Sequence, residues 1–440
     1  MVGQSIAVLF GSFFLLLLAG VPISAGIGIA SILTAFAAGM PADVFALTAA
    51  QRCFSGLDSF SLLALPFFSL GGNIMNKGGI AKRLVRLARL LVGGIPGYLA
   101  ATNVLANMFF GAVSGSSVAA TSAMGSILSP LEKDEGYDPN YSAAVNICSA
   151  PTGILIPPSG PLILYSITAG GVSVAALFMG GYLTGLVLGL CVAVMAIVLA
   201  KRLGYRKSDV VETDPKWKIW VDAIPSLLAV ILVMGGILAG WFNATEAGVV
   251  MCLYCGVLGF VYRELTLKSL YQLLADTMKS SATILFLIAA SSIMSYVMSF
   301  TGIPAAISKA LMSISTNRYV ILLIMNVFLL VMGMFLDLTP AVLIFVPIFL
   351  PIARSIGMSD VHFGLMLILN LGIGSVTPPV GSCLFVGCGV AKVKIEGVTK
   401  YIIPIFAAMV VALFLVTYIP QISLSLPYWT DLIPAMGWNS

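Results

Sequence analysis

The residues able to do chemistry in this chain are few and mostly uncharged. Asp337 is the one carboxylate flanked closely on both sides by apolar runs, in GMFLDLTPAVLIFVPIFLP. An acid in such a setting is costly and points to a cation as its partner. Alternatively it is a solvated turn residue, if the runs around it cross a bilayer fully. Thr339 and Thr377 add hydroxyl oxygens. In the first half, Ser114, Gly115, Ser116 and Ser117, with Ser159 beyond them, offer neutral groups suited to an ion or a polar solute, or to capping half-helices. No Lys or Arg is expected at the same depth, so an anionic solute would be held by amides, hydroxyls and co-bound cations.

Two interruptions must position these groups. GILIPPSG (Gly153 to Gly160) and GSVTPPVG (Gly374 to Gly381) each carry Pro-Pro inside an apolar run. Proline lacks the amide N–H and clashes with the preceding turn, so a helix unwinds there and leaves backbone groups without helical partners. Helix ends beside a break present carbonyls with partial negative charge or amides with partial positive charge, suited respectively to a Na⁺-sized ion and to a carboxylate. Glycines 111, 115, 153, 372, 374 and 381 permit close backbone approach, or serve plain helix packing.

The interruptions are in register. A shift of 221 residues superposes Pro130 on Pro351, Gly136 on Gly357, Gly153 on Gly374, Pro157 and Pro158 on Pro378 and Pro379, and Gly160 on Gly381. This reads as an internal duplication. Paired, Gly/Pro-interrupted segments in corresponding halves point to a transporter site near the membrane midplane.

Composition agrees. Of 440 residues 60% are hydrophobic and 9% charged, against about 25% charged in soluble domains, which indicates an all-α polytopic membrane protein. The net charge of +5 therefore concerns topology and not nucleic acid. No cleavable signal is evident in residues 1–20, which read as the first span. Cys252 and Cys255 read as membrane packing, His362 as an interface residue, and Asn243-Ala244-Thr245 as a weak sequon. GxxxxGK[ST] is absent, so ATP hydrolysis is not expected; a membrane enzyme or receptor would call for intramembrane His/Glu/Asp clusters or a soluble signalling domain, and the sequence shows neither.

Spans are expected at 4–20, 23–39 and 58–76, followed by a basic amphipathic arm over 82–91. A hairpin covers 96–130; its second limb, 119–130, is too short to cross, so the hairpin is re-entrant with SGSS at its tip. The broken helix 139–168 and the span 175–200 complete a first repeat, 1–200, and 201–218 links it to a second, 219–440. There, spans at 219–239, 246–262 and 276–300 precede an arm at 304–315. A hairpin at 319–353 with Asp337 in its tip, a broken helix at 361–391 and a span at 400–420 follow. Five crossings per half invert the second repeat. Starting outside puts eighteen of the 22 Lys and Arg inside, leaving Arg52, Lys309, Arg318 and Arg354 outside, and both termini in the periplasm.

The chain resembles the large membrane subunit of tripartite ATP-independent periplasmic (TRAP) transporters. The resemblance lies in SFSLLALPFFSLGGNIMNKGGIAKRLV (59–85), FFGAVSGSSVAATSAMGSILSP (109–130), GILIPPSGPLILY (153–165), TEAG (245–248), VYRELT (261–266), GMFLDLTPAVLIFVPIFLP (333–351) and HFGLMLILNLGIGSVTPPVG (362–381). It implies a bacterial or archaeal inner-membrane symporter driven by a Na⁺ gradient, with an elevator-type fold, a small membrane subunit and a periplasmic substrate-binding protein. By the match, Na⁺ would be held at Ser114, Gly115, Ser117 and Gly153 in one half and Asp337, Thr339, Gly374 and Thr377 in the other. Substrate would lie between the tips on Ser116, Ser159, Asp337 and Thr377. Family substrates are mostly carboxylates, C4-dicarboxylates and sialic acids among them; the hydroxyl-rich tip leans toward a sialic acid. Gly160 and the DLTP tip depart from the family pattern and reshape the pocket. A stand-alone Na⁺/dicarboxylate or Na⁺/H⁺ transporter of the same superfold is the alternative.

Overall fold

A computed structural model describes residues 2–205, 215–378 and 380–434. Pro379, one of the repeat positions, and 206–214 of the expected linker lie outside the described residues. Among the described residues every regular element is a helix, as a bilayer requires of a chain that must satisfy its backbone groups internally.

Six helices are long and apolar enough to cross a membrane, or up to eight if each of two bent pairs is one span. The six are α11 (Val174–Arg202), α12 (Lys216–Leu238), α13 (Ala244–Val261), α14 (Leu267–Thr301), α17 (Leu338–Ser355) and α20 (Ile395–Tyr418). The bent pairs are α3 (Ala42–Leu57) with Phe60–Lys77, at 60°, and Pro139–Leu155 with α10 (Gly160–Thr168), at 50°. Three of the ten expected crossings fall on shorter apolar helices: α1 (Val2–Leu18), α2 (Ile23–Ala37) and α18 (Asp360–Gly374) with α19 (Ser382–Ala391).

Four boundaries differ from expectation. Helix α3 has no counterpart in it, because Asp43, Gln51 and Arg52 break up the apolar pattern. Helix α14 is one element of 35 residues, joining the polar stretch after Thr266 to the span. A further helix, α21, covers Pro420–Trp429. The second limbs of the hairpins, α7 (Ser117–Asp134) and α17, are 18 residues each, because Pro130, Pro347 and Pro351 are carried inside them. Limb length therefore does not by itself make the hairpins re-entrant.

The basic arm is present as α5 (Ile80–Val92), packed on α6 (Tyr98–Ser114) and α12. It buries Ile80, Leu84, Val85 and Leu87 and stacks the Arg83 guanidinium 3.5 Å from the centre of the Tyr262 ring. Its counterpart α15 (Ile303–Ile314) packs on α17.

Helix α4 (Ala64–Lys77) packs on α13, and α14 on α2. Inside this frame the halves interlock. The segment α8 (Pro139–Ser149) lies on α20 while α18 lies on α11, and α19 lies on α7 while α10 lies on α17. Each pairing has a counterpart with the halves exchanged.

In lipid, helices associate through close packing of small residues more than through apolar burial. Two crossings illustrate it. A methyl group built on Gly111 of α6 would stand 2.2 Å from the Gly153 Cα, and one built on Gly374 would stand 2.6 Å from the Gly333 Cα in α16 (Arg318–Gly333). Only glycine on both partners permits either crossing. Gly111→Ala should therefore lower the yield of folded protein and its thermal midpoint in detergent by several degrees, on the order of a core overpacking change of 1–3 kcal/mol. Gly3→Ala, where nothing lies within 4 Å, should leave both unchanged.

Candidate functional site

Helix α6 ends at Gly115, whose left-handed φ of +61° sends its N–H back to the Gly111 carbonyl at 2.9 Å. Ser116 then opens α7 by accepting from the Ala119 N–H at 3.3 Å. The tip is only Gly115-Ser116, with Ser114 Oγ reaching the Ser116 carbonyl at 3.4 Å. In the other hairpin, α16 winds down through Met334 to Leu336, and Asp337 is the N-cap of α17 without a side-chain capping bond. Its carboxylate instead accepts from Ser382 Oγ, at the start of α19, at 3.2 Å.

Both tips line one cavity of about 650 Å³, within the range of small-molecule sites. Residues 114–118 form one wall and 337–340 another; Gly160 and Pro161 enter from α10, and Ser24, Ser69, Ser280 and Thr283 come from the surrounding frame. The N-terminal ends of α7, α10 and α17 thus converge on one space, which among the described residues no Lys or Arg lines. Helix N-termini carry partial positive charge and free amides, while Asp337 supplies a full negative charge exposed to the cavity. The combination suits an anion and a cation bound together.

Of the residues expected at the site, Ser114, Gly115, Ser116, Ser117, Asp337 and Thr339 line this cavity. The others do not. Ser159 is fully buried and donates its hydroxyl to the Ile154 carbonyl. Thr377 donates to the Ile373 carbonyl at 3.0 Å. Gly153 and Gly374 are buried in the crossings with Gly111 and Gly333. His362 is 1% exposed, with Nε2 3.2 Å from the Thr417 carbonyl, so it is a core residue and not the interface residue expected. Asn243 is a helix cap paired reciprocally with Glu246.

Behind each tip is a buried amide network that the sequence reading missed. Asn107 donates to Asn103 Oδ1 (2.8 Å), Ser149 Oγ (2.8 Å) and Asn146 Oδ1 (3.1 Å), and Asn146 donates to the Thr121 carbonyl (2.8 Å), tying α6, α7 and α8 together. In the second half, Asn370 donates to Asn326 Oδ1 at 2.8 Å and Asn326 to Thr417 Oγ1 at 3.2 Å, linking α18, α16 and α20. The available signal was an amide side chain inside an apolar run, which has to find a partner. Ser382, Ser280 and Thr283 carried no such signal.

The first network ends at Glu132, in the polar turn of α7 beyond its apolar part. It is 1% exposed and accepts from Asn103 Nδ2 at 3.2 Å. Burial pushes its carboxyl up to about 7, against the hydrogen bond from Asn103, which favours the ionised form.

The family described as "Tripartite ATP-independent periplasmic transporter, DctM component" matches residues 10–422. The chain is 46% identical to the uncharacterized protein YgiK of Salmonella typhimurium, over 96% of this chain and 97% of that one. It is 34% identical to the C4-dicarboxylate TRAP transporter large permease protein DctM of Rhodobacter capsulatus, over 96% and 99%. To the sialic acid TRAP transporter large permease protein SiaM of Vibrio cholerae it is 34% identical, over 86% and 89%. In fold it is similar to the solved YdaH transporter of Alcanivorax borkumensis, with a TM-score of 0.64, 15% identity, and coverage of 90% and 91%. The named relatives with a stated role are transport permeases and not enzymes.

Glu132 makes stability depend on pH. Its carboxyl binds a proton more tightly folded than unfolded, so its stabilising contribution is full below about 4.5, is lost as pH rises through about 7, and is constant above. Thermal midpoints of the purified protein between pH 5 and 8 should fall with rising pH, and Glu132→Gln should flatten that slope.

Proposed function

Because the chain belongs to the family of the DctM component of tripartite ATP-independent periplasmic transporters, we propose that it imports a carboxylate solute by Na⁺-coupled secondary transport. One observation carries the reading: the tips of both hairpins line a single cavity, whose lining Asp337, the N-cap of α17, shares with the N-terminal ends of α7 and α10. Asp337 supplies a charged oxygen for Na⁺. Ser114, Ser117 and Thr339 add hydroxyls beside it, and the amides at the starts of α7, α10 and α17 take the solute's carboxylate. Neither ion is well held alone, since the cavity has no cationic side chain for the solute and an uncompensated Asp337 would repel it. Mutual dependence of that kind is what coupling requires.

Sialic acids and C4-dicarboxylates are the proposed substrate classes, following the names of two relatives. The hydroxyl-rich wall of Ser114, Ser116, Ser117, Ser280 and Thr283 favours a polyhydroxylated acid. The exchange of equivalent packing partners between halves supports two inverted repeats, and the interlocked hairpins and broken helices support their motion as one elevator body against the frame of α1–α4 and α12–α14. In this reading the protein lies in the bacterial inner membrane with both termini periplasmic. It works with a small membrane subunit and a periplasmic binding protein.

In proteoliposomes carrying the chain with its small subunit and binding protein, N-acetylneuraminate or succinate uptake should require Na⁺. Asp337→Asn should abolish that uptake while co-purification with the small subunit persists. Unchanged Na⁺ dependence in the variant would remove Asp337 from the ion site.

A further inference from the structure

A second cavity, of about 520 Å³, opens further along α14. It differs from the first in charge and in lining. Eight serines line it, together with Arg52 of α3, and among the described residues no carboxylate does. The hairpin cavity has the reverse balance, with Asp337 and no cationic side chain. Helix α14 is the shared wall: Ser280, Thr283 and Leu287 face the first cavity, and Ile288, Ser291 and Ser295 face the second. From Ser280 to Ser295 the helix rises about 22 Å.

Two features make the second cavity more than a gap lined by small residues. The Ser291 hydroxyl is buried, in a residue 4% exposed, and has no hydrogen-bond partner. A buried hydroxyl left unpaired is costly, and a bound oxygen acceptor relieves that cost. The second is Arg52, whose guanidinium carbon lies 5.1 Å from the centre of the Tyr296 ring on α14. Gly56 brings α3 against α14 here, since a methyl on it would meet Ser292 Oγ at 2.1 Å. A guanidinium in the lining of a cavity with no acid among the described residues, together with the unpaired Ser291 hydroxyl, is the chemistry of carboxylate recognition.

We propose that this cavity is a separate carboxylate-binding subsite, with Arg52 as the counter-charge and Ser291 and Ser295 as hydroxyl donors. An organic acid meets attraction there without any co-bound cation, whereas at the hairpin cavity it meets Asp337. The subsite holds solute beside α14 before the hairpin site takes it up. The inference rests on the transport reading only for that sequence of events; the anion chemistry stands on Arg52 and the serines.

Thiol labelling of the purified full-length protein tests it without relying on transport. Ser295→Cys is reacted with a sulfonate-bearing and with a trimethylammonium-bearing methanethiosulfonate. The unsubstituted chain with its seven cysteines gives the background, and a free thiol gives the intrinsic ratio of the two reagents. The anionic reagent should be favoured about ten-fold beyond that ratio. Arg52→Gln should remove the preference, Arg52→Lys should retain it, and succinate should slow labelling when Arg52 is present but not when Gln replaces it. Ser55→Cys repeats the measurement from the α3 wall, should Ser295→Cys fail to fold. A ratio equal to that of the free thiol, or a preference that survives Arg52→Gln, overturns the proposal. Loss of Na⁺-dependent uptake with the labelling preference intact would count against the transport reading and for this subsite.

Discussion

A bilayer core offers no water to hydrogen-bond, so every backbone amide and carbonyl must find its partner within the protein. The rest of this architecture follows from where the chain departs from continuous helix. At Pro157-Pro158 and around Pro378 the helix is interrupted, and at Gly115-Ser116 and Leu336-Asp337 it reverses. Both reversals line one cavity, the first broken helix enters it at Gly160 and Pro161, and Ser382, just after the second break, reaches Asp337 beside it. A soluble protein could leave such ends in solvent. Here they have to be collected, and a cavity rich in helix ends is the result.

Two kinds of contact hold the collection together. Glycine on both sides lets α6 meet the first broken helix at Gly111 and Gly153, and α16 the second at Gly333 and Gly374. Immediately behind each crossing an asparagine cluster fastens the same elements, centred on Asn107 in one half and on Asn326 with Asn370 in the other. Single hydrogen bonds between membrane helices average only about 0.6 kcal/mol. Their concentration at the crossings fixes geometry more than it adds stability, and it holds the tips in register with the cavity they line.

Much of this was legible in the sequence, and the reason is local. Pro-Pro in an apolar run, Gly before Ser at a tip, and an arginine-leucine alternation each act on the backbone within a few residues, and helix breaks follow Leu155 and Gly374, a reversal falls at Gly115-Ser116 and the helix α5 covers the basic stretch; the second tip lies earlier than expected, since Leu338 to Pro340 already belong to α17. What was not legible depends on partners far along the chain. Which serines face the cavity is not written in residue type: Ser116, at a tip, lines it, while Ser159, in the broken helix, turns back to the Ile154 carbonyl. Ser382 matters only because Asp337 comes to it from 45 residues away. Helix α3 was lost because polar residues at its tip and centre diluted an apolar signal that tertiary packing later completes. Limb length misled because prolines that read as stops are carried inside α7 and α17.

The interlocking of the halves bears on how the protein is made. Helices α7 and α8 complete their packing only against α19 and α20, which leave the ribosome more than two hundred residues later. Through that interval the flank of the first hairpin that α19 later covers has no partner, and its tip serines meet only the first-half part of their cavity, Ser24, Ser69 and Gly160 among it. The first half is thus complete in helices before it is complete in packing, and the last third of the chain closes it.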